Sequence, residues 1–89
     1  MPRYIVERTV GQLTQDEWNA VGEKATAAIR ELGTGVVWIR SYISHAEGKV
    51  YCEYEAPSIA LVLEHARRAG LPADRVSEIS MDIDPSMFV

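Results

Sequence analysis

The chain is poor in cysteine, in basic clusters and in long apolar runs. Its 89 residues include one cysteine, Cys52, so no intramolecular disulfide can form. Nine Lys and Arg residues stand against 13 Asp and Glu residues, which gives a net charge of −4, and no basic cluster is longer than Arg67-Arg68. A nucleic acid is therefore not expected as a partner, because binding to phosphates needs concentrated positive charge.

Long apolar segments are also missing. A membrane-spanning helix needs about 18 consecutive apolar residues, and none occurs. The start Met1-Pro2-Arg3-Tyr4 lacks the apolar region of a signal peptide. We therefore expect a cytoplasmic protein without membrane association. The length predicts one small domain over residues 1–89, with a single core.

Familiar signatures of catalysis do not occur either. The sequence has no glycine-rich phosphate loop, no paired cysteine motif, no His-Glu-x-x-His helix and no serine in a nucleophile elbow. Each of those chemistries needs its residues at a fixed spacing. We therefore assign no catalytic residue and favour a role other than catalysis.

What the chain does contain is a pronounced hairpin pattern over residues 36–56. Two runs rich in β-branched and aromatic residues flank His45-Ala46-Glu47-Gly48. A four-residue turn with Gly48 at positive φ pairs Ser44 with Lys49. The same register then pairs Tyr42 with Tyr51, Arg40 with Glu53, and Trp38 with Glu55. It predicts a core face of Val37, Ile39, Ile43, Val50, Cys52, Tyr54 and Ala56, and an opposite face of Trp38, Arg40, Tyr42, Tyr51, Glu53 and Glu55.

The segment before the hairpin predicts a strand and a helix. Residues 3–9 read as a strand with Tyr4, Val6 and Arg8 on one side. Thr14 and Glu17 have the spacing of a capping box, and Gly33 ends the helix. Its apolar stripe is Trp18, Val21, Ala25, Ala28, Ile29 and Leu32.

The segment after the hairpin predicts a second helix and a last strand. Ser58 is the expected N-cap. The stripe consists of Ile59, Val62, Ala66 and Ala69, widened by Leu63, while Leu61 lies outside it. Residues 74–83 read as a strand with Val76 and Glu78 on one side and Ile79 on the other. An apolar tail, Met87-Phe88-Val89, closes the chain and could pack on its own sheet, fray or contact a second subunit.

The order strand, helix, strand, strand, helix, strand predicts an α+β fold of the ferredoxin-like βαββαβ type. Its four-stranded antiparallel sheet has both helices on one face, because each crossover is right-handed. The other sheet face is left bare. Since Tyr42 and Tyr51 are expected on it beside Trp38, we predict a homodimer that covers this face or its edge.

The open-face charges and two histidines are the candidate site. The expected group of Glu7, Arg40, Glu53, Glu55 and Glu78 could be an ion-pair network, an oxygen-rich metal site or an acid–base pair. His45 is either a solvated turn residue or a metal ligand. His65 is either half-buried in the second helix or a ligand or acid–base group. Cys52 reads as a buried thiol.

Several segments together resemble the small bacterial nickel-binding proteins long classed as a domain of unknown function. They are Tyr4-Ile-Val-Glu-Arg8, Trp38-Ile-Arg-Ser-Tyr42, Tyr51-Cys52, Tyr54-Glu-Ala-Pro-Ser58 and the Glu64 to Val76 segment. The resemblance implies a ferredoxin-like homodimer that binds a nickel ion and has no established enzymatic activity. Position by position it points to His65, Cys52 and Glu53 as metal ligands, to which the turn adds His45.

One departure from that family concerns Arg40, where members often have histidine. A guanidinium has no lone pair to offer a cation. If that histidine is a metal ligand in the family, this chain is expected to bind nickel weakly or not at all, and Arg40 and Glu53 are then expected to form a salt bridge in place of the site.

Three functions follow from these observations. The first is a metal-binding protein, for nickel, in storage, buffering or sensing. The second is a small-molecule-binding protein or enzyme of the dimeric α/β-barrel type, with an open-face pocket lined by Trp38, Tyr42 and Tyr51. The third is an interaction module without a small ligand.

Overall fold

In the part of the chain that the structure describes, six main elements follow one another in the predicted order. The computed structural model describes residues 1–33 and 35–88. The elements are β1 (Arg3–Thr9), α1 (Gln15–Leu32), β2 (Val37–Ser44), β3 (Lys49–Glu55), α2 (Ile59–Ala69) and β4 (Arg75–Ile79), followed by one 3₁₀ turn at Pro85–Phe88. Within the described residues, no helix is both long and apolar enough to span a bilayer.

The strands form one sheet in the order β2-β3-β1-β4, and all neighbours are antiparallel. Along β1 the side chains of Tyr4, Val6 and Arg8 are buried, whereas those between them are half-buried. This alternation follows from the two-residue period of a strand, since both helices cover one face of the sheet. The α+β ferredoxin-like fold is confirmed.

Helix α1 begins at a complete capping box. The Thr14 amide donates to Glu17 Oε1 at 2.8 Å, and the Glu17 amide donates to Thr14 Oγ1 at 3.2 Å. The helix ends where Gly33 takes a left-handed conformation with φ of 58°. Ala25 and Ala28 are buried inside this helix, and Trp18 packs partly buried against the sheet.

Helix α2 buries a different arc from the one predicted. Val62, His65, Ala66 and Ala69 are buried at the spacing of one helix face. Ile59 and Leu63 are exposed, whereas Leu61 packs against the core. The predicted stripe was wrong at these positions because it followed apolar residue types and left His65 out of the buried face.

The β2–β3 hairpin has the predicted turn and docks on the loop after β1. Gly48 has a φ of +65°, and its carbonyl accepts hydrogen bonds from the amides of Val10 (2.9 Å) and Gly11 (3.0 Å). A Cβ at Gly48 would lie 3.1 Å from Gly11 Cα, so the close approach also requires glycine. The turn is therefore fixed by backbone contacts as well as by its own conformation.

The hairpin register agrees with the prediction near the turn and departs from it at the far end. Arg40 pairs with Glu53 as expected, but an irregularity between Trp38 and Arg40 then pairs Trp38 with Tyr54. The predicted pairing of Trp38 with Glu55 was wrong. One extra residue in a strand shifts the alternation of all residues beyond it. Trp38 consequently lies on the helix-covered face, and Val37 takes the position opposite Glu55.

The last strand is shorter than predicted and ends at Ile79. Its partner β1 begins at Arg3, which pairs with Ile79, so no strand continues beside later residues. Glu78 pairs with Tyr4 and therefore lies on the helix side, so its predicted open-face position was wrong. The side chains of Met81, Ile83, Met87 and Phe88 are exposed. Val89, the predicted end of the apolar tail, lies outside the described residues.

We expect Thr14→Ala to lower the free energy of unfolding by about 1 kcal/mol, because it leaves an α1 amide without its acceptor. Urea denaturation measures the change. The matched control is Thr26→Ala, an exposed position inside the same helix. It should leave stability unchanged or slightly raise it, because alanine has the higher helix propensity. Equal losses in both variants would contradict a capping role for Thr14.

Candidate functional site

The open sheet face carries an ion-pair network. Arg3 Nη1 lies 3.0 Å from Glu53 Oε2, and Arg3 also contacts Asp82. Lys49 Nζ lies 3.3 Å from Glu7 Oε2, and this hydrogen bond is the main reason that the pKa of Lys49 is raised. The carboxylates of Glu7 and Glu53 are thus neutralised by neighbouring cations. Such partly exposed pairs contribute little to stability, because water and salt screen their charges.

Arg40 takes no part in that network. It stands opposite Glu53 in the β2–β3 ladder, but the cation that contacts Glu53 is Arg3. Within residues 1–33 and 35–88, Arg40 has no carboxylate within ion-pair distance. Arg40 is exposed, so its charge is solvated.

The four residues predicted as metal ligands lie in separate places. His45 is exposed in the hairpin turn, and its carbonyl accepts from Gln12 Nε2 at 3.1 Å. Glu53 lies on the open face beside Arg3, whereas its neighbour Cys52 is buried on the helix side. Adjacent residues of a strand point to opposite faces, so Cys52 and Glu53 of one chain cannot hold the same ion.

The residues of one chain therefore do not fit a nickel site. Across the described part of the chain, no group of three or more His, Cys, Asp or Glu side chains lies close enough to hold a metal ion. The assignment of His65, Cys52, Glu53 and His45 as ligands stays a prediction.

His65 is fully buried rather than half-buried. Its Nε2 lies 2.9 Å from the Ala25 carbonyl oxygen. Because a carbonyl oxygen only accepts, Nε2 carries the proton and Nδ1 carries the lone pair. Nδ1 is buried and has no hydrogen-bond partner among the described residues. Burial lowers the pKa of His65, against the opposing effect of the bond to Ala25, so the imidazole is neutral at pH 7.

The His65 ring belongs to a buried cluster with Tyr54 and Arg8. The rings of Tyr54 and His65 meet edge to face with their centroids 5.2 Å apart. Arg8 Nη2 donates to the Tyr54 hydroxyl at 3.2 Å, and Nη1 donates to the Pro72 carbonyl at 2.7 Å. Burial raises the pKa of Tyr54 to about 12, so the phenol stays neutral. We call these three side chains the Arg8–Tyr54–His65 cluster.

Arg8 is the unusual member of this cluster. It is fully buried, yet no carboxylate of the described residues pairs with it. A buried charge without a counter-charge is costly unless hydrogen bonds compensate it. Arg8 is not among the functional residues predicted from the sequence. Its position in β1 could have identified it, because an arginine on the same side of the strand as Tyr4 and Val6 has to enter the core.

A cleft of about 210 Å³ lies between the first half of α1 and the helix side of the sheet. The side chains that define it include Arg8, Trp18, Trp38, Ile43, Cys52 and Tyr54. At one wall the Trp38 indole donates to Ser41 Oγ at 2.9 Å, and this hydroxyl donates to Cys52 Sγ at 3.0 Å. The sequence had predicted a pocket on the opposite, open face, lined by Trp38, Tyr42 and Tyr51, and neither tyrosine lines this cleft. The bulge beside Trp38 moves that aromatic ring to the helix side.

Residues 4–79 match the profile of a family described as nickel responsive protein SCO4226-like. The chain belongs to this family. The resemblance predicted from the sequence segments is thereby confirmed. The description of the family concerns a response to nickel.

A solved structure, the crystal structure of SCO4226 from Streptomyces coelicolor A3(2), has the same fold. It superposes with a TM-score of 0.80 at 23% sequence identity, over 91% of this chain and 99% of that chain. At this identity the likeness supports the fold alone. Among curated proteins, none matches the chain.

The buried imidazole predicts a pH dependence of stability. Its pKa is lowered in the folded state, so below the ordinary value of 6.5 the unfolded chain binds more protons. Stability should therefore fall as the pH is lowered from about 7 to 5, with a slope of at most about 1.4 kcal/mol per pH unit from this group.

Urea denaturation at several pH values measures this slope. His65→Gln keeps a donor for the Ala25 carbonyl but cannot titrate, so the slope should decrease. His45→Gln, in the exposed turn, is the control and should retain the slope of the unaltered protein. A slope that His65→Gln leaves unchanged would assign the pH dependence to other groups.

Proposed function

We propose that this protein binds nickel and acts in the storage, buffering or sensing of that metal in the cytoplasm. The observation that supports the proposal is membership of the nickel-responsive family over residues 4–79. Nickel accepts imidazole together with carboxylate or thiolate ligands, and the chain has all three groups.

We further propose that the nickel site is completed by a second copy of the chain. The described residues of one chain bring no three donors together. The edge strand β2 exposes apolar side chains on both faces, with Val37 and Ile43 each 45% exposed and Tyr42 54% exposed. The apolar residues after β4 are exposed as well, Met81 and Phe88 at 74%. Exposed apolar surface of this kind favours a homodimer.

The accessible donors are those that a dimer could share most readily. His45 is exposed at the tip of the hairpin, and Glu53 lies on the bare sheet face. Cys52 and His65 are buried, and each already contacts a neighbour, Ser41 and Ala25 respectively. Binding through His45 and Glu53 needs no opening of the core, so we rank these two residues first.

Calorimetric titration of the metal-free protein with nickel tests the proposal. We expect micromolar or tighter binding, and sedimentation should show that nickel increases the dimeric fraction, because a ligand favours the state that binds it. His45→Ala and Glu53→Gln should each weaken binding by roughly tenfold or more. Glu23→Gln, on the exposed surface of α1, is the matched control and should bind as the unaltered protein does.

Arg40→His provides a gain-of-binding test. The substitution places an imidazole, which can donate a lone pair to a cation, on the exposed residue opposite Glu53, and it should increase nickel affinity. A folded protein that binds no nickel, together with an Arg40→His variant that also binds none, would overturn the proposed function. Binding that appears in Arg40→His alone would instead show that Arg40 marks a lost site.

A further inference from the structure

We propose that the cleft between α1 and the helix side of the sheet binds a small carboxylic acid with an apolar body, whose carboxylate is held by Arg8. Two buried N–H groups without acceptors belong to side chains that line this one cleft, Arg8 and Trp18. The inference is independent of nickel binding, since it uses neither the open face nor His45.

The positive charge of Arg8 indicates that the ligand is negatively charged. A guanidinium has five N–H donors, and the structure engages it through Nη1 with Pro72 and through Nη2 with Tyr54. Both acceptors are neutral. Pro72 offers a backbone carbonyl, and the hydroxyl of Tyr54 stays protonated because burial raises its pKa. Within the described residues Nε has no acceptor. A carboxylate would supply both the missing acceptor and the missing negative charge.

Trp18 provides a second donor of the same kind. Its indole nitrogen is buried and unpaired among the described residues, whereas the indole of Trp38 already donates to Ser41 at 2.9 Å. An unpaired buried donor is costly, so a ligand oxygen that accepts from it gains affinity. The third buried unpaired atom, His65 Nδ1, is not on a residue that lines the cleft.

The rest of the cleft determines the size and polarity of the ligand. Its walls include the apolar side chains of Val10, Val21, Ile43 and Leu71, and Arg8 is the one cation among the described residues that line it. A polyphosphate would need several cations. The volume of about 210 Å³ is below the roughly 300 to 1,000 Å³ of pockets for drug-sized ligands. A monocarboxylate with a single ring or a short aliphatic chain fits these constraints.

Intrinsic fluorescence reports on this cleft directly, because both tryptophans of the chain, Trp18 and Trp38, line it. The probes are phenylacetate and its neutral amide, phenylacetamide, which share the same ring. We expect phenylacetate to change the fluorescence with a dissociation constant of about 1 mM or lower and to bind roughly tenfold more tightly than the amide. Inorganic phosphate, which has charge but no apolar body, should not compete.

Three variants separate the contribution of the Arg8 charge from that of the Trp18 N–H donor. Arg8→Gln should abolish the preference for the acid over the amide. Trp18→Phe keeps an aromatic ring, removes the N–H, and should weaken phenylacetate several-fold, with Trp38 as the remaining reporter. Arg40→Gln removes the same charge from the opposite face and should bind as the unaltered protein does. Circular dichroism establishes that each variant is folded.

Two results would overturn the proposal. One is equal affinity for phenylacetate and phenylacetamide, or no fluorescence response to either, in the unaltered protein. The other is competition by inorganic phosphate at the affinity of phenylacetate. If Arg8→Gln does not fold, the acid-to-amide ratio and Trp18→Phe decide the question by themselves. A failure to bind nickel would leave these measurements unaffected.

Discussion

The burial of Arg8 constrains much of this small protein. Its guanidinium joins β1 to the loop before β4 through Pro72 and to β3 through Tyr54. Tyr54 packs against His65 of α2, and His65 bonds to Ala25 of α1. The Arg8–Tyr54–His65 cluster thus contacts both strands at the centre of the sheet and both helices. Since buried polar groups are stabilising only when they are satisfied, the relative positions of these elements are restricted by their hydrogen bonds as well as by apolar packing.

The sheet separates two kinds of chemistry. On the open face, charges lie in pairs such as Arg3 with Glu53 and Lys49 with Glu7, at the surface where water screens them. On the helix side the cation of Arg8 is enclosed by Tyr54, Pro72 and apolar side chains. The proposed metal ligand Glu53 and the proposed acid-binding residue Arg8 therefore lie on opposite faces of one sheet.

One extra residue in β2 connects the register of the hairpin to the shape of the cleft. Near the turn, the β2–β3 pairing has its expected alignment, and the Gly48 carbonyl joins this end of the hairpin to Val10 and Gly11 of the loop after β1. Beyond Arg40, the irregularity reverses the alternation and moves Trp38 to the helix side. There its indole bonds to Ser41, which in turn bonds to Cys52. Without the extra residue, Trp38 would add to the open face and the cleft would lose one of its walls.

The sequence by itself determined the elements whose signals are local. The Thr14 capping box, the left-handed glycines at the helix ends and the alternation along β1 are set by neighbouring residues, so they could be predicted, and with them the ferredoxin-like order. The tertiary structure alone decided the bulge beside Trp38, the end of β4 at Ile79 and the buried face of α2 around His65. Those features depend on contacts between residues far apart in the chain. Among the described residues no carboxylate pairs with Arg8, and this too was decided by the tertiary structure, because it depends on which side chains the fold brings next to the guanidinium.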